Sequence, residues 1–290
     1  MTRPHRVLVT GARGMLGTDL CALLADSGWE LVAADIAEFD ITDRAQSLQF
    51  ITHHSPGVLI NCAAYTAVDQ AETERDLAFR VNRDGAENLA IAAAQTGAFF
   101  VHLSTDYVFD GTKPGPYLED DPPNPVSVYG ASKLAGEEAV RSGLAEHCIV
   151  RTAWLYGIHG KSFPRTILAI AQQGKPLRVV NDQHGCPTYT VHLARALAAI
   201  AEQPRYGTYH AVNSGTCTWY DLARAALQEA GISIEITPCA TSEFPRPAPR
   251  PANSVLDTSK LSTTFGIQLP PWQQGVAEFV ARWRKEQRHA

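Results

Sequence analysis

This chain has no run of 18 apolar residues, so no membrane-spanning helix is expected. It has no Cys-x-x-Cys pair. Its six cysteines, Cys21, Cys62, Cys148, Cys186, Cys217 and Cys239, are scattered, which argues against zinc and disulfides and for reduced thiols in a cytoplasmic protein. It has no basic excess: 25 Lys and Arg face 30 Asp and Glu, and a net charge of -5 gives no reason to expect nucleic acid or a membrane surface as partner. The ten histidines, His53, His54 and His184 among them, lack any metal-ligand spacing, and no metal site is expected from them. Internal repeats and low-complexity tracts are missing too. The opening segment, Met1-Thr2-Arg3-Pro4-His5-Arg6, runs into an apolar stretch too short for the core of a signal peptide.

What is present is an ordinary globular balance, 45% hydrophobic and 19% charged over 290 residues, enough for one large domain or two intimate ones. Arg6 to Thr10, Leu31 to Asp35, Val58 to Ala64, Phe99 to Leu103 and Ile149 to Trp154 read as short, near-continuously apolar strands. Helical patterns separate them: Leu16, Leu20, Leu23 and Leu24 in the first, and residues 78 to 92 in another. Such alternation implies an α/β, Rossmann-type doubly wound parallel sheet covered on both faces. Residues 111–128 and Phe244 to Pro251 are proline-rich and must be loops. The dinucleotide-binding domain is expected to span 1–156 plus about 189–214. A smaller substrate-binding lobe takes 157–188 plus 215–290.

The segment Thr10-Gly11-Ala12-Arg13-Gly14-Met15-Leu16-Gly17 joins the first strand to the first helix with the spacing G-x-x-G-x-x-G. Gly11 suits a tight turn, Gly14 the close approach of a pyrophosphate and Gly17 close helix packing. The helix N-terminus offers free N–H groups to phosphates. Asp35, ending the second strand, can accept a hydrogen bond from a ribose 2′-hydroxyl, which favours NADH. Arg13 can meet a 2′-phosphate, which favours NADPH. The two signals conflict. Asp40-Ile41-Thr42-Asp43 approaches the adenine on one reading and caps the following helix on the other.

Tyr129 and Lys133 are four apart, so a helix sets them on one face. A neighbouring ammonium favours phenolate and is expected to lower the tyrosine from its usual value of about 10. A tyrosine so tuned can give its proton to a ketone oxygen as hydride reaches the carbon. Thr105, at the end of the fourth strand, is placed to hydrogen-bond the same oxygen.

Together, T-G-x-x-G-x-x-G, Thr105 and Y-x-x-x-K resemble the extended short-chain dehydrogenase/reductases. More narrowly, segments 61–72, 103–111, 151–157, 182–188 and 250–257 resemble the dTDP-4-dehydrorhamnose reductase family, over nearly the whole chain. That resemblance implies reduction of the C4 ketone of dTDP-4-dehydro-6-deoxy-L-mannose by NADPH or NADH. It implies Tyr129 as general acid, Lys133 as its tuner and ribose ligand, and Thr105 and Asp106 at the sugar with Trp154 against its ring. Met15, Leu16, Ala63, Ala64 and Tyr65 join the cofactor site. Thr66 and Val68 join the substrate site, with Arg250 and Asn253 at its nucleotide-diphosphate end. Related dehydratases carry an acid directly after the Thr-Asp pair; Tyr107 stands there in this chain, which fits a reductase. Some members dimerise around Mg²⁺ held by glutamates. The matching neighbourhoods here offer Asp19 but mostly non-acidic residues around Val191-His192, so no Mg²⁺ site is predicted, and monomer and homodimer both stay open. The alternatives are a reductase of another nucleotide-4-keto-deoxysugar, or a non-catalytic nucleotide-binding subunit like that of methionine adenosyltransferase.

Overall fold

The computed structural model describes residues 5–289, so Met1 to Pro4 of the opening segment lie outside the described residues. Six strands form the central sheet: β1 (Arg6–Thr10), β2 (Glu30–Ala34), β3 (Val58–Asn61), β4 (Phe99–Thr105), β5 (His147–Thr152) and β6 (Gly207–His210). All pair in parallel, in the order β6-β5-β4-β3-β1-β2. Helices α1 (Met15–Asp26), α2 (Arg44–His54), α3 (Gly85–Thr96), α4 (Val128–Gly143) and α5 (Thr190–Glu202) cover it. Side chains alternate across a strand, and the two cores follow that period. Val7, Val9 and Val150 pack with Leu16 and Leu20 of α1 and Leu193 and Leu197 of α5. Leu8, Leu59 and Ile149 pack on the other face with Ile51 of α2, Leu89 of α3 and Val140 of α4. Each such buried side chain contributes about 1.5–3 kcal/mol. This is the doubly wound α/β sheet expected from the strand pattern. Among the described residues, no helix is long and apolar enough to cross a membrane.

Three local details depart from the sequence reading. The fifth strand ends at Thr152, so Trp154 lies beyond it, with the left-handed backbone (φ 47°) that non-glycine residues rarely adopt. The helix read across 78–92 is broken by a π-helical turn, Arg80–Asp84. Asn82 in that turn accepts from the Tyr65 amide at 2.9 Å and donates to the Ser132 hydroxyl at 2.9 Å, tying the chain after β3 to α4. Asp43 caps α2, accepting from the amides of Ala45 and Gln46, which settles the capping alternative for that residue.

The smaller lobe packs helices Phe163–Ala171, Trp219–Ala230 and Trp272–His289 around Tyr156, Leu168, Leu222, Val276 and Phe279. A parallel ribbon of Leu177–Val180 with Ile236–Cys239 edges it. The stretch 259–269, counted with the lobe on sequence, instead buries Leu261, Phe265 and Leu269 in the sheet's core beside Tyr209. Sequence spacing carried no trace of that return because the contact is with a strand some fifty residues earlier.

Candidate active site

The strand order reverses between β1 and β3, and ligands of such sheets bind in the crevice beyond the carboxyl ends there. The glycine turn forms one wall of it. Gly11 has φ 67°, and a Cβ there would lie 2.6 Å from the Ala63 amide nitrogen. At Gly17 a Cβ would lie 2.1 Å from the Gly11 carbonyl oxygen. Both positions exclude a side chain. Gly14 caps α1 with no side-chain hydrogen bond, leaving the first amides of a 12-residue helix free for an anion. The turn therefore fits a dinucleotide pyrophosphate. A cavity of about 450 Å³ opens beside it, lined by Gly11, Arg13, Asp35, Asp40, Ile41, Ala63 and Ala64. That volume has room for an adenosine.

A second cleft, of about 440 Å³, continues from the turn and brings Met15, Leu16, Gly17, Thr66, Val68, Thr105, Asp106, Tyr129, Lys133 and Trp154 together. Tyr129 enters from the first turn of α4, where Ser127 accepts from the Gly130 amide. Burial pushes its phenol up to about 12, and a hydrogen bond with Thr105 pulls the other way. The expected downward tuning by Lys133 is absent. The Lys133 Nζ donates instead to the Leu103 carbonyl at 2.6 Å, and burial pushes this ammonium down to about 8. Desolvation therefore dominates the shift of the phenol. The Thr105 hydroxyl donates to Asp106 at 2.9 Å and accepts from the Tyr107 amide at 3.2 Å. Burial pushes the Asp106 carboxyl up to about 6.

Behind the cleft lies a buried ion pair. Arg151 Nε and Nη2 donate to the two oxygens of Glu137, both at 2.8 Å, and the Ser104 hydroxyl adds a bond at 2.6 Å. Burial by itself would raise Glu137; Arg151, Ser104 and Arg141 hold it down at about 2. This pair anchors α4, and with it Tyr129 and Lys133, to β4 and β5.

A third cavity, of about 600 Å³, adjoins on the lobe side. Phe163, Ile167, Val179 and Phe244 give it an apolar side, and Arg178, Arg246 and Arg250 a cationic one. Arg250 pairs with Asp69 at 2.9 Å. Trp219 lines both this cavity and the Tyr129 cleft. Its indole stacks on Trp154 with centroids 3.6 Å apart and an interplanar angle of 6°. Its Nε1 donates to Gln183 at 3.0 Å.

Two of the expected residues make hydrogen bonds within the protein. The Tyr65 hydroxyl donates to Glu74 at 2.7 Å. The Asn253 amide donates to the carbonyls of Lys113 and Gly115, stapling the proline-rich loop, while its oxygen accepts from Val255. A short polar residue in a loop competes for nearby backbone groups before it reaches a ligand. Sequence reasoning missed Trp219, Arg246 and Glu38. For Trp219 a signal existed: Thr218-x-x-Asp221 is a capping box that sets this indole at the first position of a helix. Asp19 is taken up by Arg282 at 2.9 Å and Thr190 at 2.5 Å. Among the described residues, no three His, Cys, Asp or Glu side chains converge as metal ligands.

The family model of the RmlD substrate binding domain matches residues 5–285. The chain belongs to this family. Relatives of this RmlD-family chain cover it almost end to end. It is 42% identical over 289 residues to the dTDP-4-dehydrorhamnose reductase of Aggregatibacter actinomycetemcomitans, covering 95% of this chain and 98% of that one. It is 41% identical over 275 residues to the spore coat polysaccharide biosynthesis protein SpsK of Bacillus subtilis, covering 95% and 96%. The crystal structure of the Bacillus anthracis dTDP-4-dehydrorhamnose reductase in complex with NADP superimposes with a TM-score of 0.93 at 38% identity, over 97% of this chain and all of that one.

Proposed function

We propose that this protein reduces the C4 ketone of dTDP-4-dehydrorhamnose to dTDP-L-rhamnose with NADPH or NADH. The observation that carries this reading is the joining of Thr105, Tyr129 and Lys133 with the glycine turn in one cleft, next to an apolar cavity rimmed by arginines. A reduced nicotinamide bound along the turn supplies the hydride. Tyr129, held far above neutrality, keeps its phenolic proton throughout the physiological range and gives it to the ketone oxygen. Thr105, fixed by Asp106 and the Tyr107 amide, orients that oxygen. Lys133 holds the α4 face against β4 and presents its ammonium to the ribose. Trp154 offers an apolar face to a deoxysugar. The apolar side of the third cavity takes the thymidine, and Arg250 and Arg246 take the diphosphate, since a guanidinium matches phosphate oxygens in pairs.

Purified protein given the dTDP-keto-sugar is expected to consume reduced nicotinamide and release dTDP-L-rhamnose. Tight cofactor binding with no turnover would overturn the proposal in favour of a non-catalytic subunit. Turnover confined to a different nucleotide-4-keto-sugar would overturn the substrate. Tyr129→Phe is expected to retain cofactor binding and lose at least about two orders of magnitude in kcat. Near-wild-type turnover would remove Tyr129 as the acid.

A further inference from the structure

Three ionisable side chains meet where β2 ends, at the mouth of the adenosine cavity. The Arg13 guanidinium grips Glu38 with both prongs, Nη1 to Oε2 at 3.0 Å and Nη2 to Oε1 at 2.5 Å. Glu38 Oε2 also accepts from the Asp35 backbone amide at 2.8 Å, so the carboxylate is anchored to the loop and does not merely trail after the arginine. Asp35 is fixed in turn: its Oδ2 accepts from the Arg13 amide and its Oδ1 from the Ile36 amide, both at 2.9 Å. Each oxygen keeps a lone pair for a further donor. Among the described residues lining this cavity, Arg13 is the one cation, whereas Asp35 and Asp40 are both acids.

We propose that Glu38 sets the cofactor preference: by engaging Arg13 it leaves an anionic rim that accepts a ribose 2′-hydroxyl and repels a 2′-phosphate, so this chain favours NADH over NADPH. The inference rests on the reductase reading above and deepens it. A hydroxyl donates to Asp35 without disturbing the Arg13–Glu38 pair. A 2′-phosphate brings further negative charge beside Asp35 and must compete with Glu38 for Arg13, the one guanidinium among the described residues lining the cavity. Because Arg13 is 62% exposed, screening holds the discrimination to about tenfold and keeps it from being absolute.

The test is calorimetric titration of the unliganded protein with NADH and NADPH separately, at one ionic strength. The dissociation constant for NADPH is expected to exceed that for NADH by about tenfold. Glu38→Gln keeps the side-chain length, removes the charge and releases Arg13, so the ratio should fall to about one or below. Adding Arg13→Ala to Glu38→Gln should reverse that gain in NADPH affinity. Thermal melting of each variant shows that it is folded. Equal or tighter NADPH binding by wild type overturns the inference, as does an unchanged ratio in folded Glu38→Gln. Failure to bind either cofactor overturns the reductase reading itself, and so separates the two.

Discussion

The two walls of the cleft are built by opposite means. The cofactor wall is backbone: a turn of contiguous residues, Gly11 to Gly17, set so tightly that a Cβ at Gly17 would meet a carbonyl oxygen at 2.1 Å. The wall proposed for the substrate is side chains: Trp154 from just beyond β5, Trp219 from a lobe helix and Arg250 from a proline-rich loop. A backbone wall presents amides that any dinucleotide can use, and it tolerates almost no substitution. A side-chain wall can be re-cut one residue at a time.

Breaking the backbone wall should have the largest effect. Gly17→Ala must push the turn off α1 and is expected to cost about 3 kcal/mol or more in urea denaturation, with loss of cofactor binding. Unchanged stability would mean that the turn is softer than its contacts indicate. Acid should come next, because the fold holds two buried imidazoles, one of them behind the cofactor wall. His102 hydrogen-bonds Asn61, whose oxygen accepts from the Ala63 amide of the cofactor wall. His210, in β6, contacts the Asp257 carbonyl. Burial pushes His102 well below its usual range and His210 down to about 3. The unfolded chain therefore binds protons below about pH 6.5 that the folded chain refuses, so stability is full above that value and is lost as pH falls toward 3. Asp106 and Glu119, both raised by burial, take up protons in the folded chain over the same fall in pH and offset part of the loss. A net decrease of about 2 kcal/mol between pH 7 and pH 5 is expected from denaturant titrations. Equal stability at the two values would show that the imidazoles are not protected. The mildest change is to the substrate wall. Trp219→Phe keeps an aromatic ring but removes the Gln183 bond and part of the stack. It should raise KM for the sugar nucleotide several-fold, toward about tenfold in Trp219→Ala, with cofactor affinity unchanged. A loss in kcat with KM unaltered would assign the indole to the chemistry and not to holding the sugar.

How much of this could be read in advance differs by residue. Gly11, Gly14 and Gly17 were legible because a tight turn has few chemical solutions and they are adjacent in sequence. Tyr129 and Lys133 were legible as a helical pair, yet the partner of Lys133 was not: the Leu103 carbonyl comes from a strand thirty residues earlier. The shift of Tyr129 was misread for the same reason, since the cost of burying a phenol depends on what is packed over it. Asn253 was expected at the nucleotide-diphosphate end from the resemblance alone, and its amide hydrogen-bonds the loop around it. Trp219 went unread because nothing local links it to Trp154; the two meet only when the lobe closes on β5.

By itself, then, the sequence determined the parallel sheet, through its apolar strands alternating with helices; the tight glycine turn; and the placing of Tyr129 and Lys133 on one helix. These follow from periodicity and backbone conformation, which act over a few residues. Only the tertiary structure decided that Arg13 is held by Glu38, that burial raises the phenol of Tyr129, that Glu137 is paired with Arg151 and that the indoles of Trp154 and Trp219 stack. Each of these depends on burial and on distances between segments far apart in the chain, and desolvation and Coulomb energies take their values from those distances.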